Sequence, residues 1–301
     1  MLFNPAAGRG TRRRLAAVID AIGQLGCIVT LQETAGPGDA GKLAAGVTCA
    51  EADVLVVAGG DGTINEAING RRSDAPPLAI LPMGTANLLA LELGLPTRPD
   101  ALAEMVVSGP VEPACPARLG TRLFLLMTGA GFDANVVARL PSGLKRAFGA
   151  IAYVLVSLRL LAGGFGHPAY EVEIDGVPSR AASVIVAKGH YYAGRHVCAR
   201  AASIDMPELQ VCLFERAGSW QVLCYALGLL CGRLEGMAGY RVVPARRLVI
   251  QGPAGEPIQL DGDVAGRLPA TIDLAPETLP LVRWTGPANL PISGLPRGMP
   301  R

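Results

Sequence analysis

Residues 54–63 constrain the fold more than any other segment of the chain. Val54–Ala58 is an unbroken apolar run, and it ends in the turn Gly59-Gly60-Asp61-Gly62-Thr63. A continuous apolar strand of this length is typical of a parallel sheet that is buried on both faces. A glycine turn that follows such a strand lies at the carboxyl edge of the sheet, where α/β proteins bind their ligands. The segment therefore predicts an α/β domain with a ligand site at this turn.

The segments around this strand alternate between strand and helix patterns, which predicts a doubly wound α/β sheet over residues 1–112. The further strands are predicted at Leu2-Phe3, Cys27–Leu31 and Leu78–Leu81. The helices are predicted at Thr11–Gln24, Gly38–Val47, Thr63–Asn69 and Ala86–Leu93. In the first of these helices Leu15, Val18, Ile19 and Ile22 share one face, as in an amphipathic helix that packs on a sheet.

The pattern changes near Gly109–Pro113, after which short strand-like runs dominate. They lie at Leu123–Thr128, Tyr170–Ile174, Ala182–Ala187, Leu209–Phe214, Arg247–Gln251, Pro257–Asp261 and Ala270–Leu274. Such runs, separated by turn residues, predict an antiparallel β-sandwich domain over 113–285. Two helices interrupt it, at about Leu144–Leu161 and Trp220–Leu230. The segment 286–301 is rich in proline and glycine, so we expect an irregular tail.

Composition excludes several classes of protein. The net charge is +2, from 27 basic and 25 acidic residues, which does not favour nucleic-acid binding. The seven cysteines form no C-x-x-C pair and do not cluster with the three histidines, so neither a zinc site nor a disulfide framework is indicated. The start lacks the pattern of a signal peptide and no apolar run approaches about 20 residues, so we expect a cytoplasmic protein.

Three glycine-containing turns, each directly after a predicted strand, are the strongest sign of a ligand. They are Asn4–Gly10, Gly59–Thr63 and Pro82–Asn87. Glycine lets the backbone approach a phosphate closely, and the helix that follows each turn presents free N–H groups. One such turn commonly only reverses the chain, but three at one sheet edge would form an anion cradle.

Asp61 is the unusual member of these turns, because a carboxylate repels phosphate unless a cation or a proton-transfer role compensates. Its pattern fits a Mg²⁺-linked or acid–base role in phosphoryl transfer, and it fits equally a residue that caps the next helix.

The ordered set of motifs resembles the signatures of the diacylglycerol kinase catalytic family, which includes sphingosine and ceramide kinases and bacterial lipid kinases. The matching segments are Asn4–Gly10, Gly59–Glu66, Leu81–Asn87, Gly129–Ala134, Tyr192–Gly194 and Leu260–Asp263. They cover about residues 2–275. Gly-Gly-Asp-Gly alone is shared with NAD kinases and phosphofructokinases, whereas the ordered set is far more specific.

The resemblance implies an NAD kinase-like α/β nucleotide-binding domain and a β-sandwich domain, with Mg²⁺-ATP and a lipid meeting in the cleft. It implies that ATP is bound or surrounded by Asn4, Thr34, Gly59, Gly60, Asp61, Gly62, Thr63, Gly84, Thr85, Asn87 and Asp263. It makes Asp261 a candidate general base and places Asp133 beside the lipid hydroxyl. Whether Asp61 or Asp261 accepts the proton stays open, and without the resemblance Asp261-Gly262-Asp263 would be interpreted as a hairpin turn.

Two departures from the family pattern concern metal and nucleotide binding. The family usually ends the last turn with glutamate, and Asp263 is one methylene shorter. Some bacterial relatives bind a structural Mg²⁺ near the segment Ala202–Gln210, where this chain keeps Asp205 but has Met206-Pro207 in place of a second acidic residue and a glycine. Asp205 is the remaining candidate metal ligand, and alone it supplies too few oxygens for Mg²⁺.

Two other functions remain to be weighed. An NAD kinase would share the two-domain plan, but no Asn-Glu pair follows well after the glycine turn, since Asn65-Glu66 comes at once. A binding protein without activity on the same scaffold is the second. For a kinase, the acceptor lipid stays open between diacylglycerol, ceramide, a sphingoid base and phosphatidylglycerol, each of which offers a hydroxyl near an apolar body.

A lipid substrate requires contact with a membrane surface. The predicted helix at Leu144–Leu161 carries Lys145, Arg146 and Arg159 beside apolar residues, and such a helix can lie on an anionic membrane or belong to the core. We expect a protein that is peripheral to the membrane and contacts it transiently. The sequence is compatible with a homodimer.

Overall fold

The computed structural model describes residues 1–8, 10–140, 150–163 and 169–286. Its first sheet has six strands: β1 (Leu2–Phe3), β2 (Gln32–Glu33), β3 (Leu55–Gly59), β4 (Leu78–Pro82), β5 (Val111–Ala114) and β20 (Leu279–Val282). Their order is β2-β1-β3-β4-β20-β5. All neighbours pair in parallel except β20 and β5, which are antiparallel. Every residue of β3 and β4 is buried, as the continuous apolar runs predict.

The structure describes five helices in this part, and four of them pack in two pairs. The five are α1 (Thr11–Gln24), α2 (Asp39–Ala45), α3 (Asp61–Gly70), α4 (Leu88–Glu92) and α5 (Pro99–Ser108). α1 packs against α5, and α2 packs against α3. The second pair approaches closely at Gly41 and Gly70, since a Cβ added at Gly70 would lie 2.0 Å from the Gly41 carbonyl oxygen.

Two elements of this part differ from the prediction. The strand predicted at Cys27–Leu31 does not form, and the edge strand is Gln32–Glu33, where Gln32 pairs with Leu2. The position of this edge strand is set by its pairing with the two residues of β1. The apolar content of the segment does not reveal that pairing. Helix α5 is not predicted, although Pro99 at its start and Asp100 in its first turn are typical helix-start residues.

The second part is a sandwich of two antiparallel sheets, as predicted. One sheet contains β10 (Val177–Ala181), β9 (Tyr170–Ile174), β16 (Arg247–Gln251), β19 (Ala270–Leu274), β6 (Ala117–Leu119) and β7 (Arg122–Phe124), in that order. The other contains β15 (Tyr240–Ala245), β14 (Leu209–Phe214), β11 (Ser183–Ala187), β8 (Met127–Ala130), β17 (Pro257–Leu260) and β18 (Asp263–Arg267). Residues of β9 alternate between buried and exposed, and the inward ones join a shared core with β11, β14 and β16.

Further elements connect these sheets. They are α6 (Phe132–Arg139), α7 (Ala150–Ala162), α8 (Ser219–Leu230), the 3₁₀ helix Leu234–Gly236, and the pair β12 (Tyr191–Tyr192) and β13 (His196–Val197). α7 and α8 confirm the two inserted helices, although the first six residues predicted for α7, 144–149 with Lys145 and Arg146, lie outside the described residues. The tail from residue 287 onward also lies outside them. Among the described residues, each helix falls short of the length and apolarity that a bilayer span requires.

After the sandwich, the chain returns to the first sheet, a crossing that the sequence does not predict. The predicted boundary between residues 112 and 113 falls inside β5. β20, inside the segment predicted as the second domain, returns to the first sheet and lies between β4 and β5. Its residues Leu279, Leu281 and Val282 are buried there, so the first core contains residues from both ends of the described chain.

Candidate active site

The three glycine turns meet at one edge of the first sheet, because they follow the adjacent parallel strands β1, β3 and β4. The Asn4 side-chain amide donates to the Thr63 hydroxyl over 2.8 Å, which joins the first turn to the second. A Cβ added at Gly84 would lie 2.6 Å from the Gly60 Cα, so glycine at these two positions lets the second and third turns pack backbone against backbone. The predicted convergence of the three turns is thus present in the structure.

Asp61 begins α3, and its carboxylate caps α4. Its two oxygens accept hydrogen bonds from the backbone N–H groups of Leu88 and Leu89, each over 3.0 Å. Burial raises the pKa of Asp61, and these backbone hydrogen bonds oppose that rise. The carboxylate therefore joins the second turn to the third, and it caps a helix other than the one that begins at Asp61.

The third turn is held closed by Asn87, whose backbone has a left-handed conformation with φ of 50°. Its side-chain oxygen accepts from the Gly84 N–H over 2.8 Å, and its side-chain nitrogen donates to the Gly84 carbonyl over 2.7 Å. Thr85, at the tip, is exposed, as is Gly62 in the second turn. Thr34 follows β2 at the same sheet edge and is buried, and its N–H donates to the Phe3 carbonyl.

Asp261 lies in the hairpin turn between β17 and β18, which faces these turns from the sandwich. The two loop residues, Asp261 and Gly262, have φ of 50° and 84°, as a tight Asp-Gly hairpin requires. One carboxylate oxygen of Asp261 accepts from the Met127 N–H over 2.9 Å. The other accepts from the Asn65 side-chain amide over 3.2 Å, so the hairpin turn is joined to α3 of the first part.

The pKa of Asp261 is raised to about 7, chiefly because burial disfavours the charged carboxylate. The hydrogen bond from Met127 and the positive charge of Arg122 lower this pKa, whereas the negative charges of Asp61 and Asp263 raise it. The predicted residues Asp61, Asp261 and Asp263 thus lie near enough to influence one another. A carboxylate with this pKa can accept a proton near neutral pH.

Asn65 connects the two parts of the chain, a role that the sequence does not reveal. Its side-chain nitrogen donates to Asp261 and, over 3.0 Å, to the Leu123 carbonyl. Its side-chain oxygen accepts from the Arg122 guanidinium over 3.0 and 3.2 Å. Asn69, one turn further along α3, exchanges hydrogen bonds with the Leu123 backbone. Asn65 lies inside the Gly59–Glu66 motif, which is the only sequence signal for it.

Asp133 lies in the first turn of α6, after Gly131, whose φ of 113° favours glycine. Burial raises the pKa of Asp133 to about 6, and the side chains of Tyr192 and Gln259 counteract the rise. The Gln259 side-chain oxygen also accepts from the Gly262 N–H over 3.0 Å. Gln259 therefore connects the surroundings of Asp133 with the turn that carries Asp261, and sequence reasoning missed this residue.

Asp205 belongs to a different cluster of charges. Its carboxylate is paired with the Arg283 guanidinium. The buried Lys188 ammonium donates to two backbone carbonyls of the same loop, those of Ser203 and Met206. Burial lowers the pKa of Lys188 to about 8. Two cationic side chains thus use the oxygens of this loop, and no group of three or more His, Cys, Asp or Glu among the described residues is arranged to hold a metal ion.

Comparison with known proteins gives a family match in both parts of the chain. Residues 1–118 match the model of the diacylglycerol kinase catalytic domain, and residues 127–283 match that of the YegS C-terminal NAD kinase beta sandwich-like domain. The chain belongs to the diacylglycerol kinase family. The resemblance drawn from the sequence motifs is thereby confirmed. The two matches follow the α/β part and the sandwich, except that β20 lies in the second match and in the first sheet.

The family's relatives match to different extents. A probable lipid kinase YegS-like of Pseudomonas aeruginosa PAO1 is 30% identical over 270 residues, or 86% of this chain and 84% of that protein. The diacylglycerol kinase of Bacillus subtilis strain 168 is 33% identical over 181 residues, so the matched region spans 58% of this chain and 59% of that protein. A crystal structure of a diacylglycerol kinase from Bacillus anthracis str. Sterne superposes with a TM-score of 0.73 at 25% identity, over 91% of this chain and 92% of the other.

Proposed function

We propose that this chain is an ATP-dependent kinase that phosphorylates a hydroxyl group of a lipid, with Asp261 as the general base. The observation that carries the proposal is the position of the Asp261 turn opposite the three glycine turns, with a carboxylate whose pKa is about 7. An alcohol is a poor nucleophile until its proton is removed, and a base with a pKa near the working pH removes it most effectively.

The reaction transfers one phosphoryl group. The lipid hydroxyl oxygen forms a bond to the γ-phosphorus of ATP while the bond between that phosphorus and the β,γ-bridging oxygen breaks, which leaves ADP. The hydroxyl proton moves to the Asp261 carboxylate. Positioning of the two substrates supplies much of the rate, because a loose phosphoryl transition state leaves little covalent chemistry for the protein.

Asp61 is less suited to this role than Asp261. Both of its carboxylate oxygens accept hydrogen bonds from backbone N–H groups of α4, so a proton on either oxygen would weaken one of these two bonds. We assign Asp61 to holding the second and third glycine turns in register. The nucleotide phosphates then lie against Gly60, Gly62 and Gly84, where the N-terminus of α3 offers N–H groups and the positive end of its dipole.

The remaining site residues form the outer part of the nucleotide site. We assign Asn4, Thr34, Thr63, Thr85 and Asn87 to shaping or contacting the phosphate side of ATP. Asn4 and Asn87 do so by fixing the turns, through the hydrogen bonds to Thr63 and Gly84. Gly59 permits the close contact of β3 with Thr63, since a Cβ at Gly59 would lie 2.7 Å from the Thr63 Cβ.

The acidic residues of the site fit a Mg²⁺ ion that arrives with the nucleotide. Mg²⁺ in kinases is commonly held by one or two carboxylates together with substrate phosphates, and it neutralises the negative charge that would otherwise oppose transfer. Asp263 is exposed, and its Oδ2 lies 3.7 Å from where a Cβ on Gly62 would be, so this carboxylate is beside the N-terminus of α3. We assign Asp263 as the protein ligand and assign no metal to Asp205.

The lipid acceptor enters from the sandwich. Asp133, half-buried and near Tyr192 and Gln259, is placed to orient the acceptor hydroxyl or the Asp261 turn. Diacylglycerol, ceramide, a sphingoid base and phosphatidylglycerol are the acceptors to compare.

We further propose that residues 1–112 with β20 bind the nucleotide and that the sandwich binds the lipid. We propose that the protein is cytoplasmic, acts peripherally at a membrane in lipid metabolism and can form a homodimer.

The decisive experiment measures transfer of phosphate from γ-labelled ATP with Mg²⁺ to each of these lipids in mixed micelles, with NAD as a soluble acceptor. The variants are Asp261→Asn, Asp133→Asn and Asp61→Asn. Asp205→Asn is the matched control, since it makes the same change in a different charge cluster, where Asp205 is paired with Arg283. We expect labelled product on at least one lipid, lost with Asp261→Asn and kept with Asp205→Asn.

Other results would contradict the proposal. Label on NAD and on no lipid would assign the chain to NAD phosphorylation. Tight ATP binding without transfer to any acceptor would indicate a binding protein. Equal activity of Asp261→Asn and the parent chain would show that another group is the base.

A further inference from the structure

Two neighbouring helices of the sandwich expose an unusual amount of apolar surface. Seven of the fifteen exposed large apolar side chains in the described chain lie on α7 and α8. On α7 they are Val154, Leu155 and Leu158, and on α8 they are Trp220, Leu223, Leu227 and Leu230. We call these seven residues the apolar face. A monomeric soluble protein rarely exposes so many large apolar residues together unless they contact a partner.

The spacing of these residues places them on single sides of their helices. The α8 members recur at intervals of three, four and three residues, which is the repeat of one helical face. The α7 members are three and four residues apart in the same way. The Ser219 hydroxyl donates to the Leu161 carbonyl over 3.1 Å, so the end of α7 lies against the start of α8.

The inner side of α7 contacts the catalytic turn. Tyr153 immediately precedes Val154, and its hydroxyl donates to the Gly262 carbonyl over 3.2 Å. Gly262 follows the proposed base Asp261. The helix that exposes Val154, Leu155 and Leu158 therefore lies directly on the turn where the acceptor hydroxyl must arrive.

The charges around the apolar face are one-sided. Neither α7 nor α8 contains an acidic residue, and Arg159 is exposed on α7. The acidic residues that flank α8 are paired, Glu215 with Arg241 and Glu235 with Arg200. Arg159 and Arg233, both exposed, form no ion pair with any residue that the structure describes.

The Arg12–Arg14 run does not add to this charge, although it is the most basic tripeptide of the chain. Arg12 is paired with Glu33, and Arg14 donates to the carbonyls of Pro82 and Thr97. All three lie on α1, and the contacts of Arg12 and Arg14 stay within the first part of the chain. Arg159 and Arg233 therefore supply positive charge beside the apolar face.

We propose that the apolar face is the surface by which this protein docks on an anionic phospholipid bilayer, with α7 and α8 lying in the interface. Helices of this length, about 20 Å, fit along the headgroup region rather than across it. Anionic headgroups complement Arg159 and Arg233. A two-fold contact with a second copy would instead bring these arginines against a surface whose described acidic residues, Glu215 and Glu235, are already paired. Docking would bring the Asp261 turn to the lipid acceptor. This role of the docking rests on the proposed kinase function.

The test measures co-sedimentation of the full chain with sucrose-loaded vesicles of phosphatidylcholine, with and without about 30 mol% phosphatidylglycerol. The variants are Leu155→Glu with Leu158→Glu on α7, and Trp220→Glu with Leu227→Glu on α8. Ile28→Glu and Val177→Glu are matched controls, since Ile28 and Val177 are 98% and 63% exposed and lie elsewhere. Thermal melting verifies that each variant folds, as exposed positions should allow.

We expect the parent chain and both controls to bind the anionic vesicles, and each double variant to lose at least about tenfold in partitioning. A blue shift of Trp220 fluorescence on binding, measured in a Trp284→Phe background, should accompany it. Unchanged partitioning of both folded double variants would overturn the proposal. It would also be overturned if the parent chain were a dimer in equilibrium sedimentation that these variants convert to monomers without loss of vesicle binding.

The same variants separate this proposal from the proposed function. With a lipid acceptor dispersed in detergent micelles, the double variants should transfer phosphate at the parent rate, because the acceptor no longer has to be reached in a bilayer. If no chain transfers phosphate to any lipid while the parent chain still binds vesicles through the apolar face, the kinase function fails and the docking surface stands.

Discussion

The turns that carry Asp61 and Asp261 both present an aspartate after an apolar strand, yet the two carboxylates are held in different ways. Asp61 receives two backbone N–H groups from the start of α4. Asp261 receives one backbone N–H group, from Met127, and one side-chain amide, from Asn65. Burial raises the pKa of both, but it brings the pKa of Asp261 to about 7.

The difference lies in what each carboxylate would lose on accepting a proton. A proton on Asp61 removes an acceptor from a helix end that has no other side-chain cap. The protonated and charged forms of Asp261 are nearly equal in free energy near pH 7. One of its two donors is the Asn65 side-chain amide and not a helix end. Position in the site alone therefore does not make a buried aspartate a base. Its hydrogen-bond partners must also tolerate a change of its charge.

Asp261→Asn should have the largest effect on activity. Without a proton acceptor on the hairpin turn, we expect kcat for lipid phosphorylation to fall by about 10²–10⁴-fold, while the KM for ATP changes little. Steady-state kinetics with the responsive lipid acceptor measures both constants. If Asp61→Asn lowered kcat this strongly and Asp261→Asn did not, the roles of the two aspartates would be exchanged.

Asn65→Ala should have the next largest effect, because Asn65 fixes the position of the Asp261 carboxylate. We expect kcat to fall by about tenfold to a hundredfold, as misplacement of a catalytic group typically causes. Asn69→Ala is the matched control, since Asn69 shares the contact with Leu123 but has no hydrogen bond to Asp261. Equal losses in the two variants would show that the hydrogen bond from Asn65 to Asp261 has no special effect on kcat, since Asn69 contacts Asn65 and Leu123 but not Asp261.

The dependence on pH follows from the same raised pKa. Because the base must be deprotonated, kcat/KM should rise about tenfold between roughly pH 5.5 and 6.5 and level off above about pH 7. Stability should move in the opposite direction. The raised pKa favours the protonated carboxyl in the folded state, so this stabilisation is complete below the unfolded pKa near 3.9 and is lost as the pH rises through about 7. Urea unfolding across this range, with Asp261→Asn as the reference, measures the stability part.

The two turns also mark how far the sequence could predict this site. The motifs at Gly59–Thr63 and Asp261–Asp263 are local, since each is a turn after an apolar strand, and the sequence identifies both. The partners of the two aspartates are not local. Asp61 is separated from Leu88 by 27 residues and Asp261 from Asn65 by 196. Hydrogen bonds over such separations depend on how the two parts of the chain pack, which no periodicity in the sequence expresses.

The same distinction holds for the fold. The runs Tyr170–Ile174, Leu209–Phe214, Arg247–Gln251 and Ala270–Leu274 are strands with the predicted bounds, because their side-chain patterns are set by burial within each strand. The edge strand at Gln32–Glu33 is polar and exposed, and the return of Leu279–Val282 to the first sheet fills a place between β4 and β5. Both depend on a neighbour that is distant along the chain.

Asp61→Ala should affect stability more than chemistry. Loss of a capping carboxylate typically lowers the free energy of unfolding by about 0.5–2 kcal/mol, and the loosened third turn should raise the KM for ATP several-fold. Asp61→Asn should recover much of the stability, since asparagine caps a helix nearly as well. Denaturant unfolding of the two variants checks this order, and a stable Asp61→Ala with normal ATP binding would contradict the capping role.

Arg122→Gln should have the smallest effect, and it distinguishes the two aspartates most directly. The Arg122 guanidinium lowers the pKa of Asp261 by its charge and is not among the causes that shift the pKa of Asp61. Its removal should therefore raise the pKa of Asp261 and move the rise of kcat/KM to higher pH by less than about one unit, with the plateau kept. Arg122→Lys, which keeps a positive charge without the fork of hydrogen bonds to Asn65, should leave the midpoint nearer to that of the parent chain. A rise of kcat/KM that Asp61→Asn abolishes, with a midpoint that Arg122→Gln leaves unchanged, would place the titrating base in the second glycine turn and not in the hairpin.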